Sequence, residues 1–243
     1  MPTPALRKTR PDPVVGRLAV VTGANRGLGY AIVRELSENG WDVLALTRTS
    51  GGPAGGSWPA GVVPVLHDVR SEPAHALTAA LDHRPVDLLV NNAAQGAPHG
   101  KLGAIEADGL MNAVDVNVAG PLRLTQFLLP NLLAAPDPVI VNVSSRLGSV
   151  TAQANGDFAD LSTSYAYKVS KAAQNMLTVS LAQELQGQVR CWAVHPGKLA
   201  TAMGQSDASK SPATAARQLL ELVDSGSRMS PRFCSLGEED LAW

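Results

Sequence analysis

The 243-residue sequence is poor in cysteine, in long apolar runs and in surplus charge. Its two cysteines, Cys191 and Cys234, lack C-x-x-C spacing, which argues against a disulfide framework or a zinc site and is typical of packed thiols in a reducing compartment. No apolar run approaches the ~20 residues that a membrane span requires. The formal net charge of −1 provides no field that would attract nucleic acid or an anionic membrane. We therefore expect a cytoplasmic protein with neither nucleic acid nor membrane as a partner.

Metal-ligand spacing and an export signal are also missing. The five histidines are scattered without an H-E-x-x-H pattern, so no metal site is expected. They are His67, His75, His83, His99 and His195. The N-terminus has charge and proline where a signal peptide has an apolar core, and its prolines disfavour helix and strand pairing. We therefore expect a flexible arm over residues 1–15 and a single domain over residues 16–243.

Short β-branched runs alternate with longer helical patterns from Arg17 onward, which is the pattern of a parallel sheet covered by helices. The predicted strands cover residues 17–23, 41–48, 62–69, 86–94, 138–145 and 188–197. The predicted helices cover residues 27–40, 72–82, 104–116, 119–134, 164–186 and 212–224. The predicted fold class is therefore α/β, a single-domain Rossmann-like doubly wound parallel sheet with helices on both faces.

A glycine-rich turn joins the first predicted strand to the first predicted helix. In "VVTGANRGLG", Gly23, Gly27 and Gly29 stand at this junction. Glycines permit a tight turn and close backbone approach, and the N–H groups at a helix N-terminus attract a pyrophosphate. A dinucleotide site is the favoured interpretation, and a tight turn that binds nothing is the alternative.

The T-G-x-x-x-G-x-G spacing of this turn resembles that of the short-chain dehydrogenase/reductase family, and later motifs follow in the family's order. "HDV" resembles its adenine-contacting aspartate, here Asp68, and "NNAA" resembles its N-N-A-G, with Ala94 in place of the glycine. "DVNVAGP" matches its catalytic asparagine, here Asn117, and "HPG" matches its proline-glycine turn beside the nicotinamide. The cofactor contacts that the resemblance implies are Gly23, Asn25, Arg26, Gly27, Leu28, Gly29, Arg48, Asp68, Val69, Asn91, Ala93, Tyr167, Lys171, Pro196, Gly197 and Thr201.

The end of the second predicted strand indicates which nicotinamide cofactor binds. NAD enzymes usually place a carboxylate there for the ribose 2′-hydroxyl, whereas a 2′-phosphate calls for arginine. Here "ALTRTS" supplies Thr47 and Arg48 without a carboxylate, and Arg26 precedes the second glycine of the turn. Both arginines resemble those of NADP-preferring members, so NADP(H) is the expected cofactor. A solvated Arg48 is the alternative.

The stretch "SYAYKVSK" contains two tyrosines and two lysines on one predicted helix. Residues three or four apart on a helix are neighbours, whereas adjacent residues are not. The spacing therefore leaves two pairs, Tyr167 with Lys171 and Tyr165 with Lys168. A lysine beside a tyrosine favours the phenolate and makes the phenol a better proton donor and acceptor.

The family motif Y-x-x-x-K selects Tyr167 and Lys171. The resemblance implies that Tyr167 is the acid in reduction and the base in oxidation, and that Lys171 also binds the nicotinamide ribose. It implies that the second serine of "SS", Ser145, holds the substrate oxygen, with Ser144 as the alternative. Asn117 is expected to perturb its helix and to keep a water in a proton relay through Lys171.

The interval between Ser145 and Tyr167 is longer than in most of the family, and "SRLGS", "YAY" and the terminal "LAW" resemble the carbonyl reductase, sniffer and C-factor branch. Lys198 replaces an aromatic residue of that branch. Arg146 and Lys198 could recognise an anionic substrate, and the 198–210 segment is predicted to form a lid. The interval at 146–163 precedes a helix through which many relatives dimerise, so a homodimer or a monomer is expected.

The motifs together predict an NADP(H)-dependent oxidoreductase that reduces a small ketone or aldehyde to an alcohol, reversibly, by hydride transfer. The alternative is an NADP-binding regulatory or signalling protein, because a fold does not fix a function. A proton relay of Asn117, Ser145, Tyr167 and Lys171 favours the enzyme, since a sensor does not need one. Elimination or epimerisation on the same scaffold is a weaker option.

Overall fold

Seven parallel strands form a single sheet in the computed structural model, which describes residues 16–53, 56–73, 75–96, 98, 102–161, 164–199 and 210–243. The spatial order is β3-β2-β1-β4-β5-β6-β7. The strands are β1 (Leu18–Thr22), β2 (Asp42–Thr47), β3 (Val62–Leu66), β4 (Leu88–Asn91), β5 (Val139–Val143), β6 (Arg190–His195) and β7 (Arg232–Ser235). The predicted arm at 1–15, Thr201 and most of the predicted lid lie outside the described residues.

Over the described ranges, seven α-helices connect or cover these strands, together with short 3₁₀ turns at 102–104 and 146–148 and a π-helical segment, Asp115–Ala119. The helices are α1 (Gly27–Glu38), α2 (His75–Leu81), α3 (Ala107–Val114), α4 (Gly120–Leu133), α5 (Val150–Ala154), α6 (Tyr165–Glu184) and α7 (Pro212–Asp224). Helix α1 ends at Glu38, two residues before the predicted end at residue 40, and Gly40 follows it with a φ of 79°.

The alternation of side chains along β1 divides the core into two layers. Ala19 and Val21 pack in one cluster with α1 and α7. Leu18 and Val20 pack in another cluster with residues of α2, α4 and α6. Because successive strand residues point to opposite faces, this division places helices on both sides of the sheet and confirms the predicted α/β class.

Two parts of the fold differ from the sequence prediction. Strand β7 was not predicted; it pairs with β6 from Trp192 opposite Arg232 to His195 opposite Ser235. The long interval before Tyr167 is not only loop, because it holds the 146–148 turn and helix α5. Trp243 contacts this interval: the Thr151 N–H donates to the Trp243 carbonyl at 3.0 Å. The Trp243 ring also lies 5.3 Å from that of Phe233 on β7.

The structure also shows the state of the cysteines and the character of the helices. Cys191 and Cys234 are both buried and unbridged, as predicted for packed thiols. None of the helices in the described ranges is long and apolar enough to cross a membrane. Among the same residues, no cluster of histidine, cysteine and acidic side chains has the arrangement of a metal site.

Candidate active site

A cleft of about 1320 Å³ crosses the carboxyl ends of strands β1 to β6. The strand order reverses between β1 and β4, and a crevice at such a switch point is where open α/β sheets bind ligands. Residues just after each of the six strands line the cleft. They are Gly23 after β1, Arg48 after β2, His67 and Asp68 after β3, Asn92 and Ala93 after β4, Ser144 and Ser145 after β5, and Pro196 and Gly197 after β6.

The glycine-rich turn after β1 packs closely on itself and on the loop after β4. Gly23 has a φ of 62°, and a Cβ there would lie 3.0 Å from the Ala93 Cα. A Cβ on Gly29 would overlap the carbonyl oxygen of Gly23. Helix α1 begins at Gly27 without a side-chain cap or an acidic residue in its first turn, so its first N–H groups suit an anionic group. The cradle therefore fits the pyrophosphate of a dinucleotide.

The ends of β1 and β4 are tied together by Thr22 and Asn92. The Thr22 hydroxyl accepts from the N–H groups of Asn92 and Ala93, each at 2.9 Å, and the Asn92 side chain donates to the Thr22 carbonyl at 2.9 Å. Asn92 lines the cleft but was not predicted as a site residue. The predicted Asn91 faces away from the cleft lining and donates to the Asn142 side chain at 2.9 Å.

The far end of the cleft, after β2 and β3, carries three arginines and one carboxylate. Arg70, which was not predicted, grips Asp68 with Nε 3.1 Å and Nη2 2.7 Å from the carboxylate oxygens. Hydrogen bonding from Arg70, assisted by the charges of Arg70 and Arg48, lowers the pKa of Asp68 to about 2. Arg26 and Arg48 also line this end. The local charge of the described residues is therefore positive, which suits a phosphate.

Asn117 lies in the π-helical segment and is completely buried. Its Oδ1 accepts from the Gln95 N–H at 2.8 Å, and its Nδ2 donates to the Gln95 carbonyl at 2.9 Å. The same amide nitrogen lies 2.9 Å from the Ser170 hydroxyl of α6. Asn117 thus connects the loop after β4 to α6 from behind the cleft and does not line it. The π-helical turn agrees with the expected perturbation of its helix.

The two serines after β5 have different partners. The Ser144 hydroxyl bonds to the Asn175 side chain on α6. The Ser145 hydroxyl caps the 146–148 turn by accepting from the Leu147 N–H at 3.2 Å, and it is the serine whose hydrogen bonding lowers the pKa of Tyr167. Ser145 is therefore the serine whose hydroxyl meets the predicted catalytic tyrosine.

Tyr167 and Lys171 line the cleft, whereas Tyr165 does not. Tyr165 is 50% exposed on the outer side of α6. Burial raises the pKa of Tyr167, and the hydrogen bond with Ser145 partly opposes that rise. The Lys171 ammonium lies 5.8 Å from the centre of the Tyr167 ring. Of the two pairs that helical spacing allows, only Tyr167 and Lys171 therefore share the cleft.

Lys171 is 2% exposed. Its Nζ donates to the Val143 carbonyl at 2.6 Å and to the Gln174 Oε1 at 2.9 Å. Burial lowers the pKa of Lys171 to about 7, because removing an ammonium from water disfavours its charged form. The protonation of this lysine is therefore balanced near neutral pH in the cofactor-free protein.

The near end of the cleft, beyond Ser145, carries Arg146, His195 and Lys198. The Arg146 guanidinium lies 5.3 Å from the centre of the Phe158 ring. Burial lowers the pKa of His195 to about 4, and the nearby charge of Arg146 adds to this effect. No acidic side chain lines this end among the described residues. The near end is consequently basic or neutral, with apolar Leu147 and Leu161 beside it.

The cleft unites nearly all the predicted site residues. Those in its lining are Gly23, Asn25, Arg26, Gly27, Leu28, Gly29, Arg48, Asp68, Val69, Ala93, Ser145, Tyr167, Lys171, Pro196 and Gly197. Asn117 lies behind the lining and Asn91 outside it, and Thr201 is outside the described residues.

The sequence matches the family model of short chain dehydrogenases over residues 17–212. The chain belongs to that family. Among curated relatives of this short chain dehydrogenase, C-signal of Myxococcus xanthus is 33% identical over 162 residues, 65% of this chain and 93% of that protein. Carbonyl reductase (NADPH) 2 of Sus scrofa is 35% identical over 196 residues, 79% of this chain and 75% of that protein.

Solved structures confirm the fold of this short chain dehydrogenase. The NADPH-bound carbonyl reductase from chicken fatty liver superimposes with a TM-score of 0.79 at 24% identity, over 95% of this chain and 100% of that one. At this identity the likeness establishes the shared fold. The family match establishes that the protein is an oxidoreductase of the short chain dehydrogenase type.

Proposed function

We propose that the protein is an NADP(H)-dependent oxidoreductase that reduces a ketone or aldehyde to an alcohol and catalyses the reverse oxidation. The observation that supports this most directly is the joint presence of Ser145, Tyr167 and Lys171 in one cleft with a dinucleotide cradle. Carbonyl reduction creates an alkoxide, which needs a proton donor and hydrogen bonds to the developing charge. The bound nicotinamide supplies the hydride.

The residues of the site have different roles in binding the carbonyl group and transferring the proton. Ser145 is positioned to hold the carbonyl oxygen, and Tyr167 is positioned to donate the proton. Because burial raises the pKa of Tyr167, its phenol is protonated at neutral pH, as reduction requires. In oxidation Tyr167 takes the proton back as a phenolate, which a protonated Lys171 favours. Asn117 fixes the Gln95 backbone and Ser170 behind this set.

The far end of the cleft, after β2 and β3, supports NADP(H) as the cofactor. Arg26 and Arg48 line it, and Arg70 neutralises the carboxylate of Asp68. An arginine cluster suits the 2′-phosphate of NADP, whereas NAD sites usually offer a carboxylate to the 2′-hydroxyl. The kcat/KM values with NADPH and with NADH test this preference. Comparable values for the two cofactors would contradict it.

Replacement of Tyr167 by phenylalanine tests the proton donor. The change removes one hydroxyl and should lower kcat for carbonyl reduction by about 10²- to 10⁴-fold, the usual contribution of a general acid, while NADPH affinity stays near that of the wild type. Tyr165→Phe is the matched control, because Tyr165 lies on the same helix but is 50% exposed. Activity of the Tyr167 variant equal to that of the Tyr165 variant would remove Tyr167 from this role.

The similarity to C-signal, whose name denotes a signal, keeps a regulatory role as the second candidate. A panel of ketones, aldehydes and quinones with NADPH distinguishes the two candidates. An enzyme consumes NADPH with some member of the panel and loses that activity with Tyr167→Phe. A regulatory protein binds NADPH without turnover, and its binding is unaffected by the same substitution.

A further inference from the structure

The inward face of α6 is unusually polar next to the active site. Ser170, Lys171, Gln174, Asn175 and Thr178 are all buried. Each makes a side-chain hydrogen bond: Ser170 meets Asn117, Asn175 meets Ser144, and Thr178 accepts from Asn142 at 2.8 Å. Gln174 is the member of this set that contacts the catalytic lysine through its side chain.

Gln174 is fully buried, and its amide orientation is fixed by Lys171. The Oε1 atom accepts from the Lys171 Nζ at 2.9 Å. Turning the amide over would place an N–H donor against an ammonium donor, so only the carbonyl orientation is compatible with this contact. The Val143 carbonyl accepts from the same Nζ at 2.6 Å. Within the described part of the chain, two of the three ammonium donors are thus occupied, and one is left for a ligand in the cleft.

The amide nitrogen of Gln174 lowers the stability of the fold. The Gln174 Nε2 is buried and has no hydrogen-bond partner among the described residues. An unsatisfied buried donor destabilises a protein, and an apolar side chain of the same shape would avoid that penalty. The contact that the amide makes and an apolar side chain cannot make is the one with Lys171.

We infer that Gln174 is a positioning residue for Lys171. The side-chain carbonyl of Gln174 holds the Lys171 ammonium in place and favours the protonated form of the lysine. The inference rests on the proposed catalytic role of Lys171. Gln174 itself does not line the cleft, although it contacts the lining residue Lys171. It acts through the lysine, by fixing the direction of the remaining N–H and by stabilising the charge that helps Tyr167.

Charged groups on the surrounding elements do not provide that stabilisation. The titratable side chains on the elements packed against α6 are Asp108 of α3, Asp115 of the π-helical segment, Arg146 of the 146–148 turn, and Arg190, Cys191 and His195 of β6. Among the described residues none of these groups is hydrogen-bonded to the Lys171 Nζ, which donates instead to two carbonyl oxygens. The two carbonyl groups, from Val143 and Gln174, are therefore the neighbours that favour the ammonium form among the described residues.

Two substitutions of Gln174 separate positioning from packing. Gln174→Met keeps the unbranched shape and removes the acceptor, whereas Gln174→Glu keeps the acceptor and adds a negative charge. The first measurement is the pKa of Lys171 in the cofactor-free protein, by NMR titration of protein labelled at lysine Cε and Nζ. Lys171→Arg identifies the signal.

We expect Gln174→Met to lower the pKa of Lys171 by about one unit and Gln174→Glu to raise it by about one unit or more. The second measurement is kcat/KM for carbonyl reduction against pH, with NADPH saturating. The alkaline limb of this profile should move to lower pH in Gln174→Met and to higher pH in Gln174→Glu. Deprotonated Lys171 no longer stabilises the negative charge that develops on Tyr167 as it gives up its proton. Thermal melting verifies that both variants are folded.

Opposite shifts in the two folded variants support the inference. An unchanged pKa of Lys171 in both would overturn it and leave Gln174 a packing residue, as would a uniform loss of activity without movement of the limb. The NMR measurement needs no turnover. If the wild type reduces no carbonyl compound while the pKa shifts appear as expected, the proposed function fails and the effect of Gln174 on the lysine stands.

Discussion

Replacing Gly148 with alanine should disturb the active site through the backbone of α6. Gly148 ends the 146–148 turn that follows Ser145. A Cβ at this position would lie 2.7 Å from the carbonyl carbon of Lys171 and 2.8 Å from its oxygen. These are backbone atoms inside a long helix, so they cannot swing aside as a side chain can. The turn and the helix must therefore separate.

The size of the effect follows from this overlap. Overpacking of a tight site costs about 1–3 kcal/mol, which corresponds to a fall in Tm of about 2–12 °C for a domain of this size. Separation of the turn from the helix also strains the bond from the Asn175 amide to the Gly148 carbonyl, now 3.1 Å. A displacement of Ser145 by about 1 Å should lower kcat/KM for carbonyl reduction by about a hundredfold.

Thermal melting and initial rates with NADPH measure the two effects. Gly103→Ala is the matched control, because a Cβ on Gly103 meets nothing within 4 Å and should leave Tm and rate unchanged. If Gly148→Ala melts with the wild type and keeps its kcat/KM, the contact between the turn and α6 does not constrain Ser145, and the reasoning fails.

Three further predictions concern cleft residues. Ser145→Ala should lower kcat at least about tenfold, whereas Ser144→Ala should keep most activity, because Ser145 lowers the pKa of Tyr167 while Ser144 bonds to Asn175. Arg146→Ala should raise KM about tenfold for a carboxylate-bearing ketone but not for a neutral one. The pKa of His195 is about 4 in the folded protein, below its value in the unfolded chain, so the unfolded chain binds more protons between pH 4 and 6.5. This difference should make the free energy of unfolding in urea about 2–3 kcal/mol lower at pH 4.5 than at pH 7. The dependence of that free energy on pH should be weaker in His195→Gln.

The sequence pattern was sufficient to predict the α/β class and six of the strands, because buried parallel strands are continuous apolar runs between turn residues. Strand β7 was missed because it is four residues long, Arg232–Ser235, and contains only two apolar residues. Its place at the sheet edge depends on pairing with β6, which is a contact between segments that are distant in sequence.

The site residues Asn92 and Arg70 were not predicted, because their positions depend on contacts that form only in the folded chain. In "NNAA", two adjacent asparagines follow one strand, and their side chains point in opposite directions; the pairing of β4 with β1 decides that Asn92, not Asn91, faces the cleft. Arg70 is one of many isolated arginines until the fold brings it against Asp68.

The orientation of helix α6 is even harder to predict from the sequence. Apolar Tyr165, Val169 and Met176 are 50%, 46% and 60% exposed, while polar Lys171 and Gln174 are buried. Hydrophobic periodicity would predict the opposite orientation for this helix, because the partners of its polar face lie on and just after β5, in the 146–148 turn and in the π-helical segment. The family motif fixed the position of Lys171 but carried no information on Gln174.

The hydrogen bond from Thr151 to the Trp243 carbonyl has a practical consequence for anyone preparing the protein. An affinity tag fused after Trp243 would begin beside Thr151 of helix α5, in the segment between Arg146 and Tyr167. Rates measured with such a tag would report partly on the tag. Activity should therefore be compared before and after its removal, and a change in KM for the carbonyl substrate without a change in NADPH affinity would reveal that interference.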